Sequence, residues 1–213
     1  MRPEDALAAA LAGADAIGMV FHPPAKRCIS LETAGRILAA LPPFVTPVGL
    51  FVDSPPERVR EVATAVGLRH IQLHGNEDAD CVRRLDRFAI IKAIRVDPKT
   101  FREELARWRD AVGRGLPNLR GIVLETANSA GGSGQANDWK TIAQAKANGE
   151  FEGLPSIIAA GGLTPGNVGA VAREIRPWAV DVSSGVEEQH GSKSVKLIEE
   201  FVSAVRDADA RAG

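Results

Sequence analysis

Glu125 is the residue best placed by its sequence context to transfer a proton. It directly follows residues 121–124, an apolar run of the kind that forms buried parallel strands. Desolvation at the end of such a strand can raise the pKa of a carboxyl group, which would make it an acid near neutral pH. An ion pair with Lys92 or Arg95, which alternate in another apolar run, explains the residue types equally well.

Two short loops rich in glycine and serine indicate a phosphate site. Gly161 and Gly162 follow one apolar run, and Ser183, Ser184 and Gly185 follow the next. Backbone N–H groups in such loops, helped by the positive end of a following helix, bind anions without a large basic patch. Either loop alone is most simply a tight turn, but both together at consecutive strand ends favour phosphate binding.

Other chemically capable side chains carry weaker signals. Arg27 lies in the loop after the first apolar run, where its guanidinium could bind a substrate carboxylate or remain an ordinary solvated charge. His22 and His74 also follow apolar runs, and a structural role is the simpler interpretation of both. Cys28 and Cys81 show no CxxC spacing, which argues against a disulfide framework or a zinc cluster and predicts inert free thiols.

The elements that must position these residues alternate between short apolar runs and amphipathic stretches. The predicted strands cover residues 16–21, 47–52, 70–73, 89–96, 121–124, 156–160 and 179–182. The predicted helices cover residues 3–11, 31–41, 56–66, 77–85, 98–112, 138–147, 165–175 and 192–205. Such alternation is typical of a βα barrel or of a doubly wound open sheet, and in a barrel polar residues gather at the carboxyl ends of the strands.

The count of seven strands and eight helices favours an α/β fold of the (β/α)8 TIM barrel type in which strand 1 is missing. Each helix of an eightfold barrel follows its own strand, so the helix at residues 3–11 requires a strand before residue 1. The alternative is a genuine seven-stranded or open-sheet protein. A missing strand would leave its two neighbours with unpaired edges, which predicts difficulty in folding.

Composition restricts the remaining function classes. The 213 residues, 45% of them hydrophobic and 25% charged, predict a single domain over residues 1–213. The 26 basic and 27 acidic residues give a net charge of -1, which excludes non-specific binding to nucleic acid or to a membrane surface. Free cysteines and no recognisable targeting segment predict a cytoplasmic protein. The glycine run at residues 131–134 predicts either a mobile lid or a flexible surface loop.

Eight collinear motifs closely resemble phosphoribosylanthranilate isomerase of tryptophan biosynthesis over nearly the whole chain. They are RPEDALAAALAGADAIGMVF, PPAKRCIS, GLFVD, IQLHG, IKAIRV, GGSG followed by NDW, AAGGLTPGNV and DVSSGVE. The resemblance implies a (β/α)8 barrel that needs no metal and no organic cofactor. It also implies an Amadori rearrangement that converts N-(5-phosphoribosyl)anthranilate into 1-(2-carboxyphenylamino)-1-deoxyribulose 5-phosphate.

The same resemblance implies roles for individual residues. Glu125 takes the place of the general acid that protonates the ribose ring oxygen, where the family usually has aspartate. Arg27 matches the arginine that faces the anthranilate, and Asp181 lies near the substrate floor. Gly162, Ser184 and Gly185 match phosphate-loop positions of the family, in the two loops of Gly161 and Ser183 described above. The general base of the family is a cysteine in a segment that would precede Met1, so the chain as written is expected to be severely impaired, and Cys28 belongs to a different loop.

These expectations describe an enzyme that binds a small phosphoribosyl substrate, without nucleic acid or membrane, as a monomer or homodimer. A second hypothesis is a catalytically inactive barrel that still binds a phosphosugar. A third is another phosphate-binding barrel enzyme, such as an indole-glycerol-phosphate synthase or a pentose-phosphate epimerase. The catalytic lysine and glutamate set of the first, and the metal-ligating histidines and aspartates of the second, are not evident in the sequence.

Overall fold

The computed structural model describes residues 2–126, 136–189 and 191–210, and the predicted lid at residues 131–134 lies outside these ranges. Seven parallel strands form one sheet: β1 (Ala16–Val20), β2 (Thr46–Phe51), β3 (His70–Leu73), β4 (Ala89–Arg95), β5 (Leu119–Glu125), β6 (Ser156–Ala160) and β7 (Ala179–Asp181). Eight helices lie in the same described ranges: α1 (Pro3–Ala12), α2 (Leu31–Ala40), α3 (Pro56–Val66), α4 (Ala79–Arg84), α5 (Phe101–Gly113), α6 (Ala136–Ala147), α7 (Pro165–Ile175) and α8 (Val195–Ala210).

The strands follow one another across the sheet in chain order, and every neighbouring pair is parallel. Within the described ranges, β1 and β7 each have a strand neighbour on one side. Helix α1, which precedes β1, packs against α8, which follows β7, so the sheet curls and brings its two edges towards each other. The predicted βα-barrel architecture of seven strands and eight helices is confirmed, and the strand ends agree with the prediction to within two residues.

Side chains point alternately to the two faces of the sheet, and each face carries its own apolar layer. On the convex face, residues such as Ile122 and Leu124 are buried beneath the helices in the main core. The concave face carries a smaller cluster formed by Ala93, Val123 and Ala160. Because successive residues of a strand point to opposite faces, the residues two positions beyond this cluster in β4 and β5 project onto the concave face as well. No helix in the described part of the chain has the length and apolar character needed to cross a membrane.

Local hydrogen bonds decide where two of the helices begin. Helix α2 starts where the sequence predicts because Ser30 Oγ accepts the backbone N–H of Thr33 at 3.1 Å. Helix α5 was predicted from residue 98 but begins at Phe101. The Asp97 side chain accepts the N–H of Lys99 at 2.8 Å and the Asp97 carbonyl accepts the N–H of Phe101 at 2.8 Å, so residues 97–100 form a turn instead.

A short hairpin before α8 was missed by the sequence prediction, which began a helix at residue 192. The structure has a 3-10 turn at Ser184–Val186, followed by two antiparallel strands, β8 (Glu187–Gln189) and β9 (Ser192–Lys193). Gly191, with φ of 84°, lies between the two strands. Strands of two or three polar residues carry no hydrophobic alternation, so pattern analysis had no signal for them.

Candidate active site

The carboxyl ends of β4 to β7 place three charged side chains in one row. In the register of the sheet, Arg95 is paired with Glu125, Glu125 with Ala160, and Ala160 with Asp181. Paired residues of neighbouring parallel strands point to the same face, which for this row is the concave face. The sheet therefore brings Glu125 and Asp181 to the same mouth, as the barrel prediction required.

Glu125 is held by a hydrogen bond to His74, the residue that follows β3. His74 Nε2 lies 2.8 Å from Glu125 Oε2, and Gln72 Nε2 lies 2.9 Å from His74 Nδ1. An amide nitrogen only donates, so Nδ1 accepts and the imidazole hydrogen lies on Nε2, directed at the carboxylate. His74 was assigned a structural role from the sequence, which holds no signal for a contact between residues 51 positions apart.

The hydrogen bond from His74 lowers the pKa of Glu125 below the ordinary glutamate value and outweighs the burial of the carboxyl group, which acts in the opposite direction. The positive charge of Arg95 lowers it further. The prediction of a pKa raised by desolvation is therefore wrong, because it considered burial without this donor. The alternative ion pair with Lys92 is also wrong, since Lys92 Nζ lies 3.1 Å from Glu77 Oε2.

Asp181 differs from Glu125 in the direction of its pKa shift. Water reaches the Asp181 side chain, but the surrounding protein raises its pKa by desolvation, and the negative charge of Glu125 raises it further. The electrostatic interaction with His74 acts in the opposite direction. Two carboxyl groups whose environments separate their pKa values can divide acid and base roles between them.

The two glycine loops contact each other. Gly161 and Gly162 have φ of 87° and 64°, in the region that residues with a side chain rarely adopt. A Cβ on Gly161 would overlap the backbone of Thr126, which directly follows the candidate acid, and a Cβ on Gly185 would overlap the carbonyl oxygen of Leu163. The loops after β6 and β7 are therefore packed against one another, and the first of them lies against the end of β5.

A lysine that the sequence analysis missed lies beside the turn that contains Ser183 and Ser184. Lys193 Nζ donates to the carbonyl oxygen of Ser183 at 2.6 Å and to Glu187 Oε1 at 3.1 Å. A positive charge at this turn favours an anion there, in addition to the backbone N–H groups. No sequence pattern indicated Lys193, because the hairpin that carries it was not predicted.

Arg27 lies in the loop between β1 and α2 and binds Glu187 through two hydrogen bonds. These run from Nε to Oε1 at 2.9 Å and from Nη2 to Oε2 at 2.8 Å, the fork geometry that gives strong pairs. The hydrogen bonds from Arg27, and then the one from Lys193, lower the pKa of Glu187 to about 2. Among the described residues Nη1 of Arg27 has no hydrogen-bond partner, so one edge of the guanidinium is available to a ligand.

The remaining candidate residues lie apart from this row. Cys28 is in the Arg27 loop, with its Sγ 3.9 Å from the carbonyl oxygen of Ile29. Cys81 is on α4, where burial raises the pKa of its thiol to about 11. A cavity of about 470 Å³, lined in part by His70, opens at the opposite, amino-terminal ends of β3 to β5. No three His, Cys, Asp or Glu side chains within the described ranges are grouped so that they could hold a metal ion.

Known proteins resemble this chain over nearly its whole length. The family model described as N-(5'phosphoribosyl)anthranilate (PRA) isomerase matches residues 1–204. The N-(5'-phosphoribosyl)anthranilate isomerase of Hahella chejuensis is 44% identical over 205 residues, which are 95% of this chain and 89% of that relative.

Solved structures agree with the sequence comparison. Phosphoribosyl anthranilate isomerase from Thermotoga maritima superposes with a TM-score of 0.84 at 37% identity, over 97% of this chain and 95% of that one. A phosphoribosyl anthranilate isomerase in complex with reduced 1-(o-carboxyphenylamino)-1-deoxyribulose 5-phosphate superposes with a TM-score of 0.81 at 35% identity, over 97% and 94% of the two chains. The chain therefore belongs to the N-(5'-phosphoribosyl)anthranilate isomerase family of enzymes.

Proposed function

We propose that this chain catalyses the Amadori rearrangement of N-(5-phosphoribosyl)anthranilate to 1-(2-carboxyphenylamino)-1-deoxyribulose 5-phosphate in tryptophan biosynthesis. The observation that carries the proposal is the position of Glu125 on the concave face, bonded to His74 and adjacent to the glycine loop after β6. A relative that binds the reduced carboxyphenylamino-deoxyribulose phosphate supports this choice of substrate class.

In this proposal the two ends of the substrate are bound by different loops. Backbone N–H groups bind the phosphate in the glycine loops, at Gly161, Gly162, Ser183, Ser184 and Gly185. The contact between these loops, and the ammonium group of Lys193 next to them, support the assignment. Arg27 binds the anthranilate carboxylate through the edge of its guanidinium that Glu187 leaves free. Asp181, which is paired with Ala160 of the neighbouring strand β6, lies beneath the ribose.

Glu125 is the general acid of the proposed reaction. It protonates the ribose ring oxygen as the bond from that oxygen to C1 breaks, which gives a Schiff base. A general base then takes the C2 proton, which gives an enolamine that tautomerises to the ketone. The substrate brings two anionic groups and displaces water, and both effects raise a carboxyl pKa from its low value in the free protein. The base of the family is a cysteine, and the proposal gives this role to neither Cys28 nor Cys81.

The test is an assay of fluorescence loss from phosphoribosylanthranilate with three proteins: the wild-type chain, Glu125→Gln and the surface control Glu61→Gln. We expect slow turnover by the wild type, because neither Cys28 nor Cys81 serves as the base. Turnover should fall by a further factor of about 100 to 10,000 in Glu125→Gln and stay unchanged in the control. Wild-type turnover that persists in Glu125→Gln would contradict the assignment of the acid. Binding of a reduced product analogue without turnover by the wild type would instead favour the inactive phosphosugar-binding barrel.

A further inference from the structure

Lys92 and Glu77 form a buried ion pair that the proposed reaction does not use directly. Their side chains are 4% and 3% exposed, and Nζ lies 3.1 Å from Oε2. Lys92 is on β4, and Glu77 is in the loop between β3 and α4. Removing two charges from water is costly, and a buried pair is often no more stabilising than apolar side chains of the same size. The burial of this pair therefore needs an explanation other than stability.

The hydrogen bonds of the pair converge on the backbone around His74. Lys92 Nζ donates to the carbonyl oxygens of Gly75 at 2.6 Å and Leu73 at 3.3 Å, the two residues that flank His74. Glu77 Oε2 accepts the N–H of Gly75 at 2.9 Å. One ammonium and one carboxylate group thus fix the chain immediately before and after this histidine.

The same pair also joins two neighbouring strand ends to this loop. Glu77 Oε1 accepts the N–H of Asp53, just after β2, at 2.8 Å. Lys92 Nζ donates to the carbonyl oxygen of Ala93, on β4, at 3.0 Å. The backbone N–H of His74 donates to Phe51, the last residue of β2, at 2.8 Å. The loop that carries His74 is therefore anchored to the strand on each side of β3.

We propose that the Lys92–Glu77 pair is a positioning device, which fixes the backbone at His74 and through the His74 side chain sets the orientation of the Glu125 carboxyl group. Its role in turnover rests on the proposed function, in which Glu125 is the acid. The pair touches neither Glu125 nor the concave face, so its effect passes through the 2.8 Å contact between His74 Nε2 and Glu125 Oε2. Displacement of a reacting group by about 1 Å can cost on the order of a hundredfold in rate.

The experiment compares the wild type with the double variant Lys92→Met/Glu77→Gln, which removes both charges together and leaves no unpaired buried ion. We expect kcat to fall about 10- to 100-fold while KM changes less than about threefold, because the phosphate loops and Arg27 are untouched. The control is Glu150→Gln, which removes a mostly buried carboxylate that is bonded to Arg102 and lies in the loop before β6, at the amino-terminal end of the sheet and away from the site. The control should lose stability and keep the wild-type kcat.

A second measurement reports the His74 contact without turnover. In protein labelled with ¹⁵N-histidine, whose four histidines are assigned with the aid of His74→Asn, the wild type should show a protected Nε2–H signal for His74. The double variant should lose this protection, and Glu150→Gln should retain it. Glu77→Gln alone is the second variant if the double variant does not fold, and it should show the same loss.

An unchanged Nε2–H signal in the double variant Lys92→Met/Glu77→Gln would overturn the positioning role. A wild type that shows the signal without turnover would refute the proposed function but leave the positioning of His74 by the pair intact.

Discussion

Replacing Glu187 by glutamine should destabilise the folded protein at neutral pH, because this carboxylate joins the two ends of the curled sheet. Its side chain is 5% exposed and binds Arg27, which follows β1, as well as Lys193, which is on the hairpin after β7. Glutamine has the same shape but no charge, so the exchange isolates the ionic part of the interaction.

The pKa of Glu187 gives the size of the effect. It is about 2 in the folded protein against 4.5 for an unperturbed glutamate. At about 1.36 kcal/mol for each pKa unit, the ionised form stabilises the fold by about 3 kcal/mol at pH 7. The folded pKa is the depressed one, so this contribution is present above the unfolded value and is lost as the pH falls towards the folded value. At pH 3 about half of it should remain.

Urea unfolding of the wild type and Glu187→Gln at pH 7 and pH 3 measures this contribution. We expect the difference in unfolding free energy to reach about 2–3 kcal/mol at pH 7, since glutamine still accepts one hydrogen bond, and to shrink by about half at pH 3. The control Glu61→Gln removes an exposed pair with Arg58 and should cost less than about 0.5 kcal/mol at either pH. An equal difference at both pH values would refute the ionic origin of the stabilisation.

Three other predictions follow from single contacts. His74→Asn should raise the pKa of Glu125, measured by ¹³C carboxyl NMR, because burial then acts without the opposing imidazole donor. Gly185→Ala should lower Tm and raise KM, because the new methyl group overlaps the carbonyl oxygen of Leu163 and separates the two glycine loops. Cys81 should stay almost unmodified by iodoacetamide at pH 8, as followed by mass spectrometry, because its thiol pKa is about 11.

The sequence predicts the strands well because each is a short apolar run, most of them rich in branched side chains. The strands β3 and β6 match the predicted residues 70–73 and 156–160 without any shift. The hairpin at β8 and β9 was missed because its residues are polar, and with it Glu187, the partner of Arg27. The hydrophobic pattern thus predicts the strands of the sheet, whereas the polar segments that complete the rim of the site carry no periodic signal.

The positions of the candidate site residues were also easier to predict than their chemistry. Glu125 and Asp181 both stand at the ends of apolar runs, and the register of the sheet places them in one row. The lowered pKa of Glu125 comes from its hydrogen bond to His74, whereas burial among its neighbours raises the pKa of Asp181. These neighbours are set by the curl of the sheet and by hydrogen bonds between loops, which leave no local trace in the sequence.

The glutamate at position 125, where the resemblance implies aspartate, acquires a physical meaning from the same contact. A side chain shorter by one methylene group would end about 1.5 Å nearer the strand. With the backbone unchanged, an aspartate carboxylate would then lie up to about 1.5 Å farther from His74 Nε2 than the 2.8 Å of the glutamate oxygen, which exceeds the usual range of a hydrogen bond. The added length is thus used to reach a histidine whose backbone Lys92 holds in place, so the acid and the loop opposite it depend on each other.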